Sequence, residues 1–322
     1  MGKKFLIPAG GQFYKANMHC HSTFSDGALT VEELKHEYMK RGYSIIAFTD
    51  HNTYQWHNEL DDENFLALCG YEVDICASVK RSWLDAKVCH LNVYDKHPAK
   101  GKKNEVLSAQ ALYEDKASMN NYIKKMTDAG YLVCYNHPGW SLERYEDYMP
   151  LDGFFAMEVF NTGCAVTDGT FDYNNRVYDD MLAAGKRVFP FAADDNHNRN
   201  PLDSVYNDSF GGYLQIKAPE LSYSAVMDSI EKGDFYASTG AEIEQIYIED
   251  GKIHVIVPKS KMIYGICNCR TGQFPKANEG ENLTHGVFTV IPEMDYIRFE
   301  VVDTLEKRAY SRAYYKDEIN NI

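Results

Sequence analysis

No stretch of this chain is apolar over the roughly 18–20 residues that a membrane span needs, so a membrane protein of helical type is not expected. The opening residues hold only a short apolar stretch, Phe5 to Pro8, too brief for the hydrophobic region of a signal peptide. Basic residues are in deficit: 33 Lys plus Arg stand against 47 Asp plus Glu, a formal charge of −14. A surface that acidic argues against nucleic acid as a main partner, because phosphate backbones are held by clustered basic residues. It leaves room for a small anionic substrate in a pocket where bound metal reverses the local sign. The 8 cysteines contain no Cys-x-x-Cys pair and fall at irregular spacings. They read as reduced thiols of a cytoplasmic protein and not as a disulfide frame. No G-x-S-x-G elbow announces a serine nucleophile, and there is no internal repeat or low-complexity segment.

What is present is ordinary globular material, with 44% hydrophobic and 25% charged residues over 322 positions. That length suits one large barrel-type domain or two ordinary ones. The first two-thirds alternates short apolar runs with helical patterns, the signature of a βα-repeating fold. Strands are expected near 15–19, 44–49, 65–72, 87–94, 131–135, 155–160 and 187–193. Thr30 with Glu33 forms a capping box that opens a helix running to Arg41, before Gly42. Further helices are expected over 118–129, 171–184 and 222–232, each followed by glycine. The fold class is therefore α/β, with seven strands and interleaved helices suggesting a parallel barrel over residues 1–240. From Ile243 the pattern becomes apolar/polar alternation, and Asp250-Gly251 marks a hairpin turn. Residues 241–322 read as a small antiparallel, sandwich-like all-β domain.

The chemistry concentrates at the expected strand ends. His19-Cys20-His21 closes the first strand, and residues i and i+2 of a strand share a face, so both imidazoles converge. Two neutral imidazoles on one face suit a borderline divalent metal. Asp26 follows in the first loop, and the next strands deliver Asp50-His51, Glu72, His90, Asn136-His137, Glu158 with Asn161, and Asp194-Asp195-Asn196-His197. In βα-barrels the C-terminal strand ends form the active-site face.

The series His19-x-His21, Asp26, His51, Glu72, His90, His137 and Asp195-x-His197 resembles the PHP (polymerase and histidinol phosphatase) superfamily of metal-dependent phosphoesterases over roughly residues 15–200. The stretch Lys232-Gly233-Asp234-Phe235-Tyr236-Ala237-Ser238-Thr239-Gly240 is similar to the CehA/McbA-like metallohydrolase subgroup, whose members carry a β domain after the barrel. The resemblance implies a distorted (β/α)7 barrel and two or three divalent ions of zinc, manganese or iron. By position, His19, His21, Glu72 and Asp195 would hold one ion. Glu72 would bridge to a second, held also by His90 and His137, and Asp26, His51 and His197 would hold a third. Asp26 stands where many family members carry His, and a carboxylate still suits a hard metal there. Asp194 is the alternative to Asp195, with the Asp-x-His spacing favouring the latter.

Such a cluster acidifies a shared water toward a pKa of ~7, making hydroxide the nucleophile, and stabilises charge on the transferred group. Glu72, Asp195 and His197 are the residues expected to carry catalysis. Lys80, Arg81 and Arg199 are candidates to clamp a substrate phosphate, with Trp140 and Asn161 lining the pocket and Asp50 orienting a ligand histidine from behind. The expected function is a metal-dependent phosphoesterase for a small phosphorylated metabolite or nucleotide. The alternatives are a carboxyl-ester, carbamate or amide hydrolase, and a metal-binding module without turnover.

Overall fold

A computed structural model describes residues 2–78, 82–102, 112–169 and 173–320. The chain begins with β1 (Lys4–Phe5), β2 (Gln12–Asn17), α1 (Val31–Met39), β3 (Tyr43–Phe48), β4 (Leu66–Cys76) and β5 (Val88–Asp95). It continues with α2 (Lys116–Asp128), β6 (Tyr131–Tyr135), α3 (Tyr145–Tyr148), β7 (Ala156–Asn161), α4 (Thr162–Val166), α5 (Asn175–Ala183) and β8 (Phe189–Ala193). β9 (Tyr213–Ala218), α6 (Tyr223–Lys232) and β10 (Phe235–Ser238) follow. The last part is β11 (Gln245–Glu249), β12 (Lys252–Ser260), β13 (Met262–Cys267), β14 (Leu283–Thr289), β15 (Tyr296–Val302), β16 (Arg308–Ser311), β17 (Tyr314–Tyr315) and α7 (Lys316–Asn320).

The fold is mixed α/β and rich in sheet. The seven strands expected from the sequence, β2 to β8, are consecutive neighbours in one 13-stranded sheet. That sheet is not all-parallel: β2–β3, β3–β4, β6–β7 and β7–β8 are parallel, whereas β5 runs antiparallel to both β4 and β6. The cause is the connection between β4 and β5, residues 77–87, which is shorter than the dozen or more residues of a helical crossover. The strict strand–helix alternation also fails between β3 and β4, where only a single 3-10 turn, Asn58–Leu60, intervenes. One consequence matters for the site. His90 lies near the start of β5, and the reversed direction brings it to the same end of the sheet as the C-termini of the parallel strands.

Beyond their ends, β2 and β8 meet. The Asp195 amide donates to the His19 carbonyl (2.9 Å), the His21 amide donates to the Asn196 carbonyl (3.1 Å), and Cys20 bridges Asn196 in parallel. On the other side β9 and β10 carry the sheet from β2 to β16, β15 and β13. A second sheet, β1-β11-β12-β14, packs on it through a core that includes Ile246, Ile253, Val255, Phe288 and Phe299. The Asp250-Gly251 turn has positive φ at both residues, 49° and 72°, as a primed hairpin turn requires. Among the described residues no helix is long and apolar enough to cross a membrane.

One buried charge in this framework has a pH signature. Glu143 is 6% exposed and accepts hydrogen bonds from the hydroxyls of Tyr113 (3.0 Å) and Tyr135. Burial pushes its carboxyl up to about 7, against the opposing effect of the two tyrosine hydroxyls. A carboxyl that holds its proton more tightly when folded contributes stability below its ordinary value of 4.5, and that contribution disappears as pH rises through about 7. In urea titrations the unfolding free energy of wild type minus that of Glu143→Gln should fall by about 2–3 kcal/mol between pH 5 and pH 8. A difference independent of pH would show that Glu143 is already ionised at pH 5.

Candidate metal centre

The site is assembled by backbone alternation at the end of β2. Met18 and Cys20 turn into two separate apolar clusters, which leaves His19 and His21 aimed at a common point from the intervening positions. Both histidines are fully buried, with Nε2 atoms 3.1 Å apart. Asp195 Oδ1 lies 3.0 Å from His21 Nε2 and 3.2 Å from His19 Nε2. Glu72 closes the group, with Oε1 3.3 Å from His19 Nε2 and Oε2 3.5 Å from His21 Nε2. A divalent ion with ligands at about 2.0–2.1 Å in tetrahedral array has ligand–ligand edges of roughly 3.3 Å, so these donors stand at metal-ligand spacing.

Glu72 is the hub. It is fully buried, in the middle of β4 and not at its end as the sequence suggested, because β4 runs on to Cys76. Its Oε1 lies 3.1 Å from His90 Nδ1 and 3.3 Å from His137 Nε2, and it accepts a hydrogen bond from Asn136 Nδ2 (2.8 Å). Its Oε2 lies 3.0 Å from His51 Nδ1. Asp26, half exposed, is 3.3 Å from His197 Nε2, 3.8 Å from His51 Nε2 and 4.0 Å from His21 Nδ1. Gly27 permits this approach, since a Cβ there would stand 2.4 Å from the His21 carbonyl oxygen. The nine residues thus form three overlapping groups whose donor atoms lie within 4.8 Å of one another: His19, His21, Glu72 and Asp195; Glu72, His90 and His137; His21, Asp26, His51 and His197.

Two observations test whether metal fits. His21 Nδ1 is buried with no hydrogen-bond partner among the described residues, an unsatisfied polar atom in the middle of the cluster. The donor set of imidazoles and carboxylates, without thiolate, is the chemistry of zinc, manganese and iron sites. The charges of the cluster act on its members in both directions. Burial, with His197 and His51 beside it, lowers His21 to about 4, which keeps its ring neutral. Burial alone would raise the Glu72 carboxyl, but the surrounding His19, His90 and His137 hold it well below the usual range. Burial likewise opposes protonation of His51, yet Asp74 and Glu72 push it up to about 11. Asp195 and His137 also sit at positive φ, 54° and 23°, local strain of the kind that gathers at functional sites.

Asp194 and Asp195 separate cleanly. Asp194 accepts from Tyr38 and Thr162 hydroxyls and from the amides of Phe210, Gly211 and Gly212, a load that leaves it no free lone pair for the site. Asp195 faces the histidines. Asp50 departs from expectation: it orients no histidine, but accepts from the Ser22 amide (2.8 Å) and the Ser25 hydroxyl (2.7 Å), tying down the loop that carries Asp26. Asn161 is buried and donates to Glu158 (2.9 Å) and Asp195 (3.1 Å). Trp140 packs edge-on against His137 and tilts over His90, with centroids at 5.1 and 5.6 Å. Arg199 is exposed and paired with Asp26 at 2.6 Å. Lys80 and Arg81 lie outside the described residues.

Several residues that matter here were not among the expected nine. Glu158 Oε1 lies 2.7 Å from His19 Nδ1, and Oε2 accepts from the His137 amide at 3.0 Å. Asp74 Oδ1 lies 3.1 Å from His51 Nδ1 and 3.5 Å from His90 Nε2. Its place two residues beyond Glu72 on one strand face was a usable signal. Ser141 Oγ lies 3.2 Å from His137 Nδ1.

Comparison with known proteins bears on part of this arrangement. A 79-residue stretch is 37% identical to the DNA polymerase/3'-5' exonuclease PolX of Bacillus subtilis (strain 168), covering 19% of this chain and only 14% of that relative. A two-domain protein of Bacteroides vulgatus ATCC 8482 containing a predicted PHP-like metal-dependent phosphoesterase superposes over 97% of this chain and 98% of its own, at 14% identity and a TM-score of 0.47. A candidate metal-dependent phosphoesterase of Bifidobacterium adolescentis ATCC 15703 covers 60% of this chain and 90% of its own, at 17% identity and a TM-score of 0.36. The PHP domain profile matches residues 17–193, more than half of the chain and the span that holds His19, His21, Asp26, His51, Glu72, His90 and His137, and the chain therefore belongs to the PHP domain family.

Proposed function

We propose that this protein is a metal-dependent phosphoesterase acting on a small anionic substrate, a phosphorylated metabolite or nucleotide, with two or three ions of zinc, manganese or iron. The observation that carries this reading is Glu72, one buried carboxylate faced by His19, His21, His51, His90 and His137 within 3.5 Å. His19, His21, Glu72 and Asp195 would hold one ion, Glu72, His90 and His137 a second, and Asp26, His51 and His197 a third. Bound there, such ions supply Lewis acidity toward a phosphoryl oxygen and acidify water. The chain's own residues do the positioning. Glu158 fixes the His19 ring through Nδ1, so that Nε2 points into the site, and Asn136 holds Glu72 from one side. Arg199, at the exposed edge beside Asp26, is placed to meet a phosphate oxygen. We read the strands β2 to β8 as the distorted (β/α)7 barrel of a catalytic unit within residues 1–240, with a second unit over 241–322 that is all-β apart from α7 and takes β1 into its sheet, in a cytoplasmic protein.

Protein purified without chelator should carry at least two metal ions per chain by elemental analysis, and dialysis against a strong chelator should abolish turnover. A well-loaded sample with one ion or none would sink the cluster. A panel of phosphomonoesters, phosphodiesters and carboxyl esters with added Mn²⁺ or Zn²⁺ tests the activity. Turnover of carboxyl esters alone would replace the phosphoesterase reading with a carboxyl-ester hydrolase.

A further inference from the structure

Beside the histidine cluster lies a cavity of about 310 Å³ lined by Trp83, Leu84, Val88, Trp140, Leu142 and Asp168. Its walls are two indoles at 6.2 Å in a T-shaped arrangement, and one of them, Trp140, is the ring that packs against His137 and His90. The cavity therefore adjoins the site across the Trp140 ring. The other indole, Trp83, is 61% exposed and its neighbour Leu84 79% exposed. Apolar surface of that size left in water beside a polar centre marks a place for a ligand.

The exposed wall is held in place by its own local structure. Trp83 opens a 3-10 turn, Trp83–Asp85, closed by a capping box in which Ser82 Oγ accepts from the Leu84 amide and the Asp85 carboxylate accepts from the Ser82 amide. The Val88 amide then donates to the Ser141 carbonyl (3.2 Å), tying this segment to the loop that carries Trp140. Between these walls stands one charged group. It is the Asp168 carboxylate, whose two oxygens can each accept from N–H donors. A carboxylate there repels a second phosphate and favours N–H donors.

We infer that this cavity binds the leaving-group part of the substrate, and that this part is a planar heteroaromatic ring with adjacent N–H donors on its edge. The ring stacks on the exposed Trp83 indole with Trp140 against its edge, the Asp168 carboxylate accepts from the N–H edge, and the phosphate reaches the histidine cluster past Trp140. The inference names the substrate class of the proposed phosphoesterase and rests on that reading for the direction in which the substrate lies.

Guanosine, which presents two adjacent N–H donors, is the probe for binding, read by quenching of tryptophan fluorescence in the full chain. Trp83→Ala should weaken guanosine binding about tenfold or more. Asp168→Asn should erase a preference for guanosine over inosine, which lacks the exocyclic amine. In Mn²⁺-loaded protein, the ratio of kcat/KM for guanosine 5′-monophosphate to that for β-glycerophosphate should fall by about tenfold in Trp83→Ala, chiefly through KM. Circular dichroism checks that the exposed substitution leaves the fold intact. Guanosine binding that is absent, or equal in all three proteins, overturns the subsite. An unchanged kcat/KM ratio with both esters hydrolysed also overturns it and leaves the phosphoesterase standing. Guanosine binding that depends on Trp83 and Asp168 in a protein that hydrolyses neither ester upholds the subsite and removes the phosphoesterase.

Discussion

Glu72→Gln is expected to lower kcat by at least ~10²-fold on any phosphoester the wild-type protein turns over. The carboxylate is fully buried and faces five imidazoles. An amide keeps the shape but removes the negative charge, and one of its two ends becomes a donor. That donor would face either His51 or the His90, His137 and Asn136 side, where lone pairs and an existing N–H already point inward. Metal content should fall together with rate, because the groups centred on His19 and on His90 both draw on this one residue. His36→Gln, on the exposed face of α1, serves as the control and should change neither. Equal kcat for Glu72→Gln and wild type in saturating metal would remove Glu72 from the mechanism. Loss of far-UV circular dichroism along with activity would show that the ions hold the fold as well.

The site was far more legible in the sequence than the sheet that builds it. His19-x-His21 declares itself because strand periodicity places alternate side chains together, and that local rule holds wherever the strand sits. Strand positions for β3, β6, β7 and β8 follow from short buried apolar runs in the same way. Strand direction does not, since it is set by what the connection can span. The reversal of β5 rests on the length of residues 77–87, which a reading based on alternation overlooks. β9 and β10 also went unread as strands: β10 is only four residues long, whereas β9 does alternate, with Leu214, Ile216 and Ala218 buried, and could have been found.

The roles that went unread at the site share a different cause. Glu158 and Asp74 stand behind the histidines, and their role comes from contacts made across strands, Glu158 on β7 to His19 after β2 and Asp74 on β4 to His51 after β3. Sequence separation hides such pairs. Asp50, expected to orient a ligand histidine, was misread because nothing in the sequence shows which loop its side chain meets. Its carboxylate is consumed by Ser22 and Ser25 instead.

Glu158→Gln should weaken metal binding by about 10–100-fold while leaving the number of ions at saturation unchanged. The carboxylate receives three groups at once: His19 Nδ1 at 2.7 Å, the His137 amide at 3.0 Å and Asn161 Nδ2 at 2.9 Å. With both carboxylate oxygens facing donors, His19 must carry its proton on Nδ1 and present Nε2 to the cluster. Glutamine offers one acceptor oxygen and an NH₂ group, so one of these donors meets another donor, and either the His19 ring or the His137 backbone loses its support. Glu158 also lies within 4.8 Å of donor atoms of His19 and His137, an arrangement that would let it serve as a ligand itself. The two roles give different results in a titration against a competing chelator. A positioning carboxylate shifts the affinity and keeps the stoichiometry, whereas a ligand takes its ion with it, so that Glu158→Gln would saturate at one ion fewer per chain than wild type. Affinity and stoichiometry both equal to wild type would place the control of the His19 ring elsewhere.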